Sequence, residues 1–212
     1  MLPNNKKIIN DWIFMEERDA VNVAVYTKEG KFLTFQQKKY AIPGETLSPV
    51  GGFINNGESP FDAARREVWE ELGVGSERTK EILANGGTLE KSAETKDSPF
   101  GTSSQQVAHD QHGLLKGDAT PDEPDWVYLG KYRTMANRGG GFIYTYLVVN
   151  AVPLVEGGGT AAHLSRGDAE DQQLKLLSKE ETLEAVMDGK FQEIKWAGTM
   201  ALGLLHMEKK GL

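Results

Sequence analysis

Apolar and polar residues alternate through 21–27 (VNVAVYT) and again through 31–37 (KFLTFQQ), with Lys28, Glu29 and Gly30 between the two runs. A period of two interrupted by a short glycine-bearing connection predicts a β-hairpin. A third extended segment is expected around Leu47 to Val50. From residue 60 to 72 the period lengthens: at 100° per residue Phe61, Ala64, Val68 and Leu72 share one face, the pattern of a helix laid on a sheet. The local signals agree with that reading. Ser59 suits the N-cap, Pro60 the first helical position and Asp62 the positive helix end, while Gly73 supplies the left-handed residue that ends many helices.

Beyond this helix, SERTKEILA (76–84) reads as a short extra helix stopped by Asn85, Gly86 and Gly87. The chain then turns polar to about Asp125. A connection this long is uncommon inside a compact domain, and it is read as a mobile insertion. His109 and His112 within it are spaced like a metal pair but lack helical periodicity, so they are read as solvated loop histidines. Strands are predicted at 126–132 (WVYLGKY) and 141–149 (GFIYTYLVV), joined by MANRGGG, and another at 174–178. Helices near 179–187 and 193–207 close the chain. This order suits a mixed sheet sandwiched between helices, without internal repeats.

At 212 residues, 39% hydrophobic and 26% charged, the sequence fits one globular domain, 1–212, with a short N-terminal extension (1–19) and the polar insertion at about 86–125. The net charge of −7 argues against binding a nucleic-acid polymer, which requires clustered Lys and Arg. A small phosphate compound stays compatible, because metal ions neutralise it locally. There is no cysteine, which removes disulfides, thiolate zinc sites and a cysteine nucleophile. MLPNNKKIIN lacks the apolar centre of a signal peptide and no run approaches 18 apolar residues, so a soluble cytoplasmic protein with no membrane contact is expected.

The chemistry concentrates between Gly52 and Val74. Gly52 is followed after five residues by Glu58, and after seven more by Arg66, Glu67, Val68, Trp69, Glu70, Glu71, Leu72, Gly73 and Val74. On the predicted helix Glu67, Glu70 and Glu71 fall within roughly a 100° arc, beside the apolar face. Two like charges about 5 Å apart repel by roughly 3 kcal/mol at an effective dielectric near 20, against about 0.2 to 0.5 kcal/mol on a fully wet face. A hard divalent cation reverses the sign, since magnesium and its like prefer carboxylate and carbonyl oxygens and carry phosphates on the same ion. The glycine-rich PVGGFINNGE leads directly into this helix and lets backbone approach such an ion closely. Arg66, four residues before Glu70, is placed to orient a carboxylate. Trp69 points away from the glutamate face and is read as packing.

This stretch resembles the Nudix box. Seven positions are fixed by type, and at about 6% usage each a chance match in a chain this long is on the order of one in a million. The resemblance implies an α/β Nudix fold, an α/β/α sandwich with a central mixed β-sheet, and a Mg2+- or Mn2+-dependent hydrolase that cleaves a diphosphate linked to another moiety. ERDAVNVAVYT, LTFQQKK and LSPVGGFINNGE, together with the late segment from Gly167 to Leu205, look most like ADP-ribose pyrophosphatases and related nucleotide-sugar hydrolases. Carried over residue by residue, Glu67 and Glu71 match the main metal ligands, Glu70 a supporting carboxylate, the Gly51 carbonyl a further ligand, and Arg66 the residue that orients them. Glu170 matches the acidic residue of a late loop that binds another metal or acts as base toward water, with Asp168 as runner-up. Gln37 and Lys39 match strand-end positions that face substrate, Lys39 standing where an arginine is usual.

Three departures are visible. Leu47 replaces an acidic residue of that group, Leu89 and Glu90 occupy the region of its specificity proline, and the N-terminal extension is short for a swapped dimer, which leaves a homodimer open. The missing cysteine counts against the isopentenyl diphosphate isomerase branch. The expected reaction is therefore hydrolysis of a small nucleoside diphosphate linked to a sugar, with ADP-ribose giving AMP and ribose 5-phosphate as the leading candidate. The rivals are a nucleoside triphosphate diphosphatase and a non-catalytic nucleotide-sensing module. Specificity is expected from Gln37, Lys39, the Asn137 to Gly141 turn, the insertion and the loop around Glu170.

Overall fold

The computed structural model describes residues 11–74, 114–115, 124–152 and 172–212. The predicted helix 76–84, both insertion histidines, Asp168 and Glu170 lie outside them. Eight strands among the described residues form one mixed sheet: β1 (Ala20–Thr27), β2 (Phe32–Lys38), β3 (Glu45–Ser48), β4 (Val50–Phe53), β5 (Leu114–Leu115), β6 (Asp125–Met135), β7 (Gly139–Ala151) and β8 (Gln172–Leu177). The pair β1–β7 is parallel and every other pairing is antiparallel. Three helices accompany the sheet: α1 (Pro60–Leu72), α2 (Lys179–Met187) and α3 (Ile194–Lys210).

The hairpin expected at 21–37 forms as β1 and β2. The extended segment around Leu47 to Val50 is more than one strand. Pro49 has no N–H to donate, and the chain breaks there into β3 and β4, which pair with different neighbours. Ser48 to Glu45 lie opposite Phe35 to Lys38 of β2, whereas Val50 to Phe53 lie opposite Val23 to Ala20 of β1. Strand β1 is thus shared along one edge, its end touching β2 at Val25 and Tyr26 and its beginning touching β4. A seam opens in the sheet between the β2–β3 and β1–β4 pairs.

Each face of the sheet carries its own core. On one side Phe61, Ala64, Val68 and Leu72 of α1 meet Val21, Val23, Val25, Val50 and Tyr146, and Ala63 is buried with them. On the other, Trp196, Met200 and Met207 of α3 meet Ala24, Phe32, Val127 and Leu147, with Ala185 of α2 alongside. The α/β/α sandwich expected from the element order is therefore present. The cap of α1 forms as its residues dictate: the Ser59 hydroxyl oxygen accepts from the Asp62 N–H at 3.1 Å, and Gly73 closes the helix at φ 61°. Helix α2 begins in a capping box between Ser178 and Glu181.

The β6–β7 connection is tighter than its glycine run suggests, because β6 continues to Met135 and β7 starts at Gly139. The N-terminal segment backs this turn: the Met15 N–H donates to the Arg138 carbonyl at 2.8 Å, the Gly140 N–H to the Met15 carbonyl at 2.7 Å, and the Trp12 indole to the Asn137 carbonyl at 2.9 Å. No helix among the described residues is long and apolar enough to cross a membrane.

Met200 is fully buried at the centre of the α3-side core. Met200→Ala should cost about 2 to 5 kcal/mol, read as a lower urea midpoint at unchanged slope.

Candidate active site

The two glycines before the box loop stand where no side chain fits. A Cβ on Gly51 would fall 2.5 Å from Asn22 Oδ1 and 2.5 Å from the Val21 carbonyl oxygen, and one on Gly52 would fall 2.1 Å from Glu67 Oε1. Strand β4 is therefore gripped from both sides, by β1 beside it and by the α1 carboxylate above. This close approach is what the glycine pair provides, and it seats Glu67 directly on the loop backbone.

Arg66 organises the loop and the helix together. Its Nε donates to Glu58 Oε1 at 2.8 Å, one terminal nitrogen to Glu67 at 2.7 Å and to Glu70 at 2.9 Å, and the other to the Phe53 carbonyl at 3.0 Å and to Glu58 Oε2 at 3.1 Å. The sequence predicted the Glu70 pair. It did not disclose Glu58 as the forked partner, although Glu58 stands at a fixed position of the box. The Asn55 N–H donates to the same Glu58 carboxylate at 2.9 Å and holds the turn that precedes α1. Ionised, forked contacts of this kind are stronger than neutral hydrogen bonds.

These contacts shift the titration of the carboxyls in opposite directions. At Glu58 burial pulls upward, but the hydrogen bonds from Arg66 and the Asn55 N–H outweigh it, and the carboxyl sits below its ordinary range. At Glu67 burial dominates, Arg66 only partly offsets it, and the neighbouring charges of Glu70 and Glu58 push the same way as burial, so the carboxyl sits above its ordinary range. The Arg66 guanidinium is driven further up by Glu58 against its own desolvation, with help from Glu67 and Glu70, and stays charged.

Around the corner of α1, Glu71 and Gly51 line a cleft with Gln37, Lys39, Ser48 and Gln172. Phe35, Pro49 and Trp196 complete its wall. The structure thus brings Gln37, Lys39, Gly51 and Glu71 to one cleft, and sets Glu67 against the adjoining loop backbone. Glu70 is half exposed on the outer side of Arg66. Neither Gln172 nor Trp196 carried a sequence signal, since each arrives from an element more than a hundred residues away.

Among the described residues no three acidic or histidine side chains already converge on one centre, Glu67 and Glu70 being drawn to Arg66. The donors nonetheless fit a hard divalent cation. Glu67 is a largely buried carboxylate whose charge burial disfavours, it rests on a glycine backbone that leaves no room for a side chain, and Glu71 lines the cleft together with Gly51. Gln37 has a second distinction: its carboxamide oxygen is buried without a hydrogen-bond partner, an arrangement that costs about 1 to 3 kcal/mol.

The chain matches the NUDIX domain model over residues 16–139, more than half of its length. It is 33% identical over 105 residues to an isopentenyl-diphosphate Delta-isomerase of Streptomyces avermitilis, covering 49% of this chain and 50% of that protein. To an RNA pyrophosphohydrolase of Cereibacter sphaeroides it is 34% identical over 70 residues, covering 33% and 42%. The chain spans about half the length of the curated relatives it matches. A crystal structure of an ADP compounds hydrolase superposes with a TM-score of 0.56 over 92% of this chain and 75% of that one, at 16% identity, which speaks for the fold.

The opposed shifts at Glu58 and Glu67 give a pH signature in chelator-treated protein. The lowered Glu58 adds stability above its unfolded-state pKa that is lost as pH falls through its folded value. The raised Glu67 does the reverse, and its share of stability drains away as pH rises from the unfolded to the folded value. Glu67→Gln should therefore melt close to the parent at about pH 4 and above it at about pH 8, in thermal unfolding with chelator. A variant that melts lower than the parent at the higher pH contradicts the assigned cause.

Proposed function

Because the chain belongs to the NUDIX domain family, we propose that it is a divalent-metal-dependent hydrolase that cleaves the diphosphate of a nucleoside diphosphate linked to a sugar, ADP-ribose being the leading substrate. The observation that carries this reading is that one helix sets Glu67 against the Gly52 backbone and Glu71 beside Gly51 in the cleft. The names of the relatives share one chemical element, a pyrophosphate, diphosphate or ADP group. The isomerase reading has less support, since the chain has no cysteine to serve the chemistry that branch relies on.

Glu67, Glu71 and the Gly51 carbonyl are the residues assigned to hold Mg2+ or Mn2+, with Glu70 in support. When bound, such an ion lowers the pKa of a water and stabilises charge on phosphoryl oxygens. The protein's own groups do the rest. Arg66 is the orienting residue: by holding Glu58 and the Phe53 carbonyl it fixes the loop, and by holding Glu67 and Glu70 it fixes where their oxygens point. Lys39 offers the cleft a single cationic point charge suited to a phosphate, where an arginine would give a forked contact. Glu170 remains the proposed base or additional metal ligand, with Asp168 as the alternative.

Purified protein with Mg2+ should convert ADP-ribose to AMP and ribose 5-phosphate. Absence of turnover on ADP-ribose, nucleotide sugars, dinucleotides and nucleoside triphosphates would overturn the hydrolase reading. A preference for triphosphates would move the substrate class. Glu67→Gln and Glu71→Gln should each lower kcat by at least about a hundredfold while circular dichroism stays native. Unchanged rates in both would remove them from the metal site.

A further inference from the structure

The cleft crosses the sheet rather than lying on it. Phe35 belongs to the core on the α1 side and Trp196 to the core on the α3 side, yet both line the same space. They meet because the seam separates β2–β3 from β1–β4 at this level. Within the cleft Gln37 is 5% exposed, and its amide nitrogen is committed as donor to the hydroxyl of Ser48, also buried. Its carbonyl oxygen has no partner and the residue lines the cleft. A buried acceptor left open in this way requires an explanation, and a ligand supplying the donor is one.

The open atom limits what that ligand group is. Ionised phosphoryl oxygens are acceptors only, so the diphosphate has nothing to give Gln37 Oε1. The complement is a neutral N–H or O–H. Trp196, whose indole also lines the cleft, suits a planar or ring-shaped group. Building on the diphosphatase reading, we propose that the seam is the recognition pocket for the moiety attached to the diphosphate. In this assignment Gln37 accepts a hydrogen bond from the amino group of a purine ring or from the 2′-hydroxyl of its ribose, Ser48 is the positioning residue that holds the Gln37 amide nitrogen, and Trp196 contacts the ring. The diphosphate then lies toward Gly51 and Glu71, which line the same cleft.

A ligand-by-protein cycle tests this. Calorimetry would compare wild type and the near-isosteric Gln37→Met, with Mg2+ present, on AMP, on purine riboside 5′-monophosphate, which lacks the amino donor, and on 2′-deoxy-AMP, which lacks one hydroxyl. Gln37→Met should weaken AMP by about tenfold and leave unchanged whichever analogue lacks the donor that Gln37 reads, which also tells base from sugar. Ser48→Ala should give a smaller loss with the same ligand pattern, a selectivity that a merely structural role would not produce. Equal weakening of all three ligands, no weakening, or no binding of any of them overturns the proposal. So does weaker Mn2+ binding in Gln37→Met, which would make the carbonyl a metal ligand instead. Because binding is read without turnover, failed hydrolysis alone would count against the enzyme reading and not against this pocket.

Discussion

At Pro49 the backbone has to change partners, and most of the site depends on that exchange. Strand β3 ends paired to β2, and after one residue that cannot donate a hydrogen bond, β4 begins paired to β1. The shift carries Gly51 and Gly52 inward against β1, where Asn22 and Glu67 leave no space for a side chain. It also opens the seam that Gln37, Ser48 and Trp196 line. A continuous strand through 45–53 would close that opening and move the glycine pair away from α1. The proline and the glycines are thus two halves of one requirement: the first sends the backbone to a new edge, and the second let it arrive at close range.

The electrostatics of α1 follow from the same approach. Seating Glu67 on the β4 backbone removes it from water, which raises its pKa, and places it near Glu58 and Glu70, which raises it further. Burial is the larger cause and the two repulsions the smaller ones, Glu70 being half exposed and so partly screened by water. One guanidinium answers all three carboxylates, but it also ties down the Phe53 carbonyl and Glu58, so its charge is divided. Glu58 receives the forked share and is lowered, while Glu67 receives one contact and remains raised. The division leaves Glu67 as the carboxylate with most to gain from an added cation.

How much of this could be read beforehand follows from how local each determinant is. Helix α1 was legible because Ser59, Pro60 and Gly73 act within one turn of themselves and its apolar face repeats at helical spacing. The β1–β2 hairpin and the long strands β6 and β7 were legible for the same reason, through alternation and β-branched or aromatic content. The partner exchange at 49 was not, because a run of extended residues looks alike whether it pairs with one neighbour or two. Nor was the role of Glu58 toward Arg66: eight positions apart and on different elements, the two meet only once the loop has folded back. Gln172 and Trp196 enter the cleft through the pairing of β8 with β2 and the packing of α3 on the sheet. Contacts of that kind leave no periodicity in the residues that make them.

The contrast has a physical basis that bears on function. The orienting arginine and the metal-holding groups assigned between Gly51 and Glu71 lie within a contiguous loop and helix, so short-range geometry suffices to assemble them. The groups assigned to recognition come from β2, β3 and α3, which only the folded sheet and the helix packed on it bring together. A chain with a net charge of −7 also has no long-range attraction to offer a phosphate compound. Discrimination must then come from contacts made at close quarters, in places where water is already excluded. A buried carbonyl without a donor meets that condition: it costs stability while empty, and a ligand that supplies the missing hydrogen removes the cost, whereas one that cannot leaves it in place. Selectivity of this kind depends on the rigidity of the seam more than on charge, and Gln37 stands in the one strand that pairs with β3 on one side and β8 on the other.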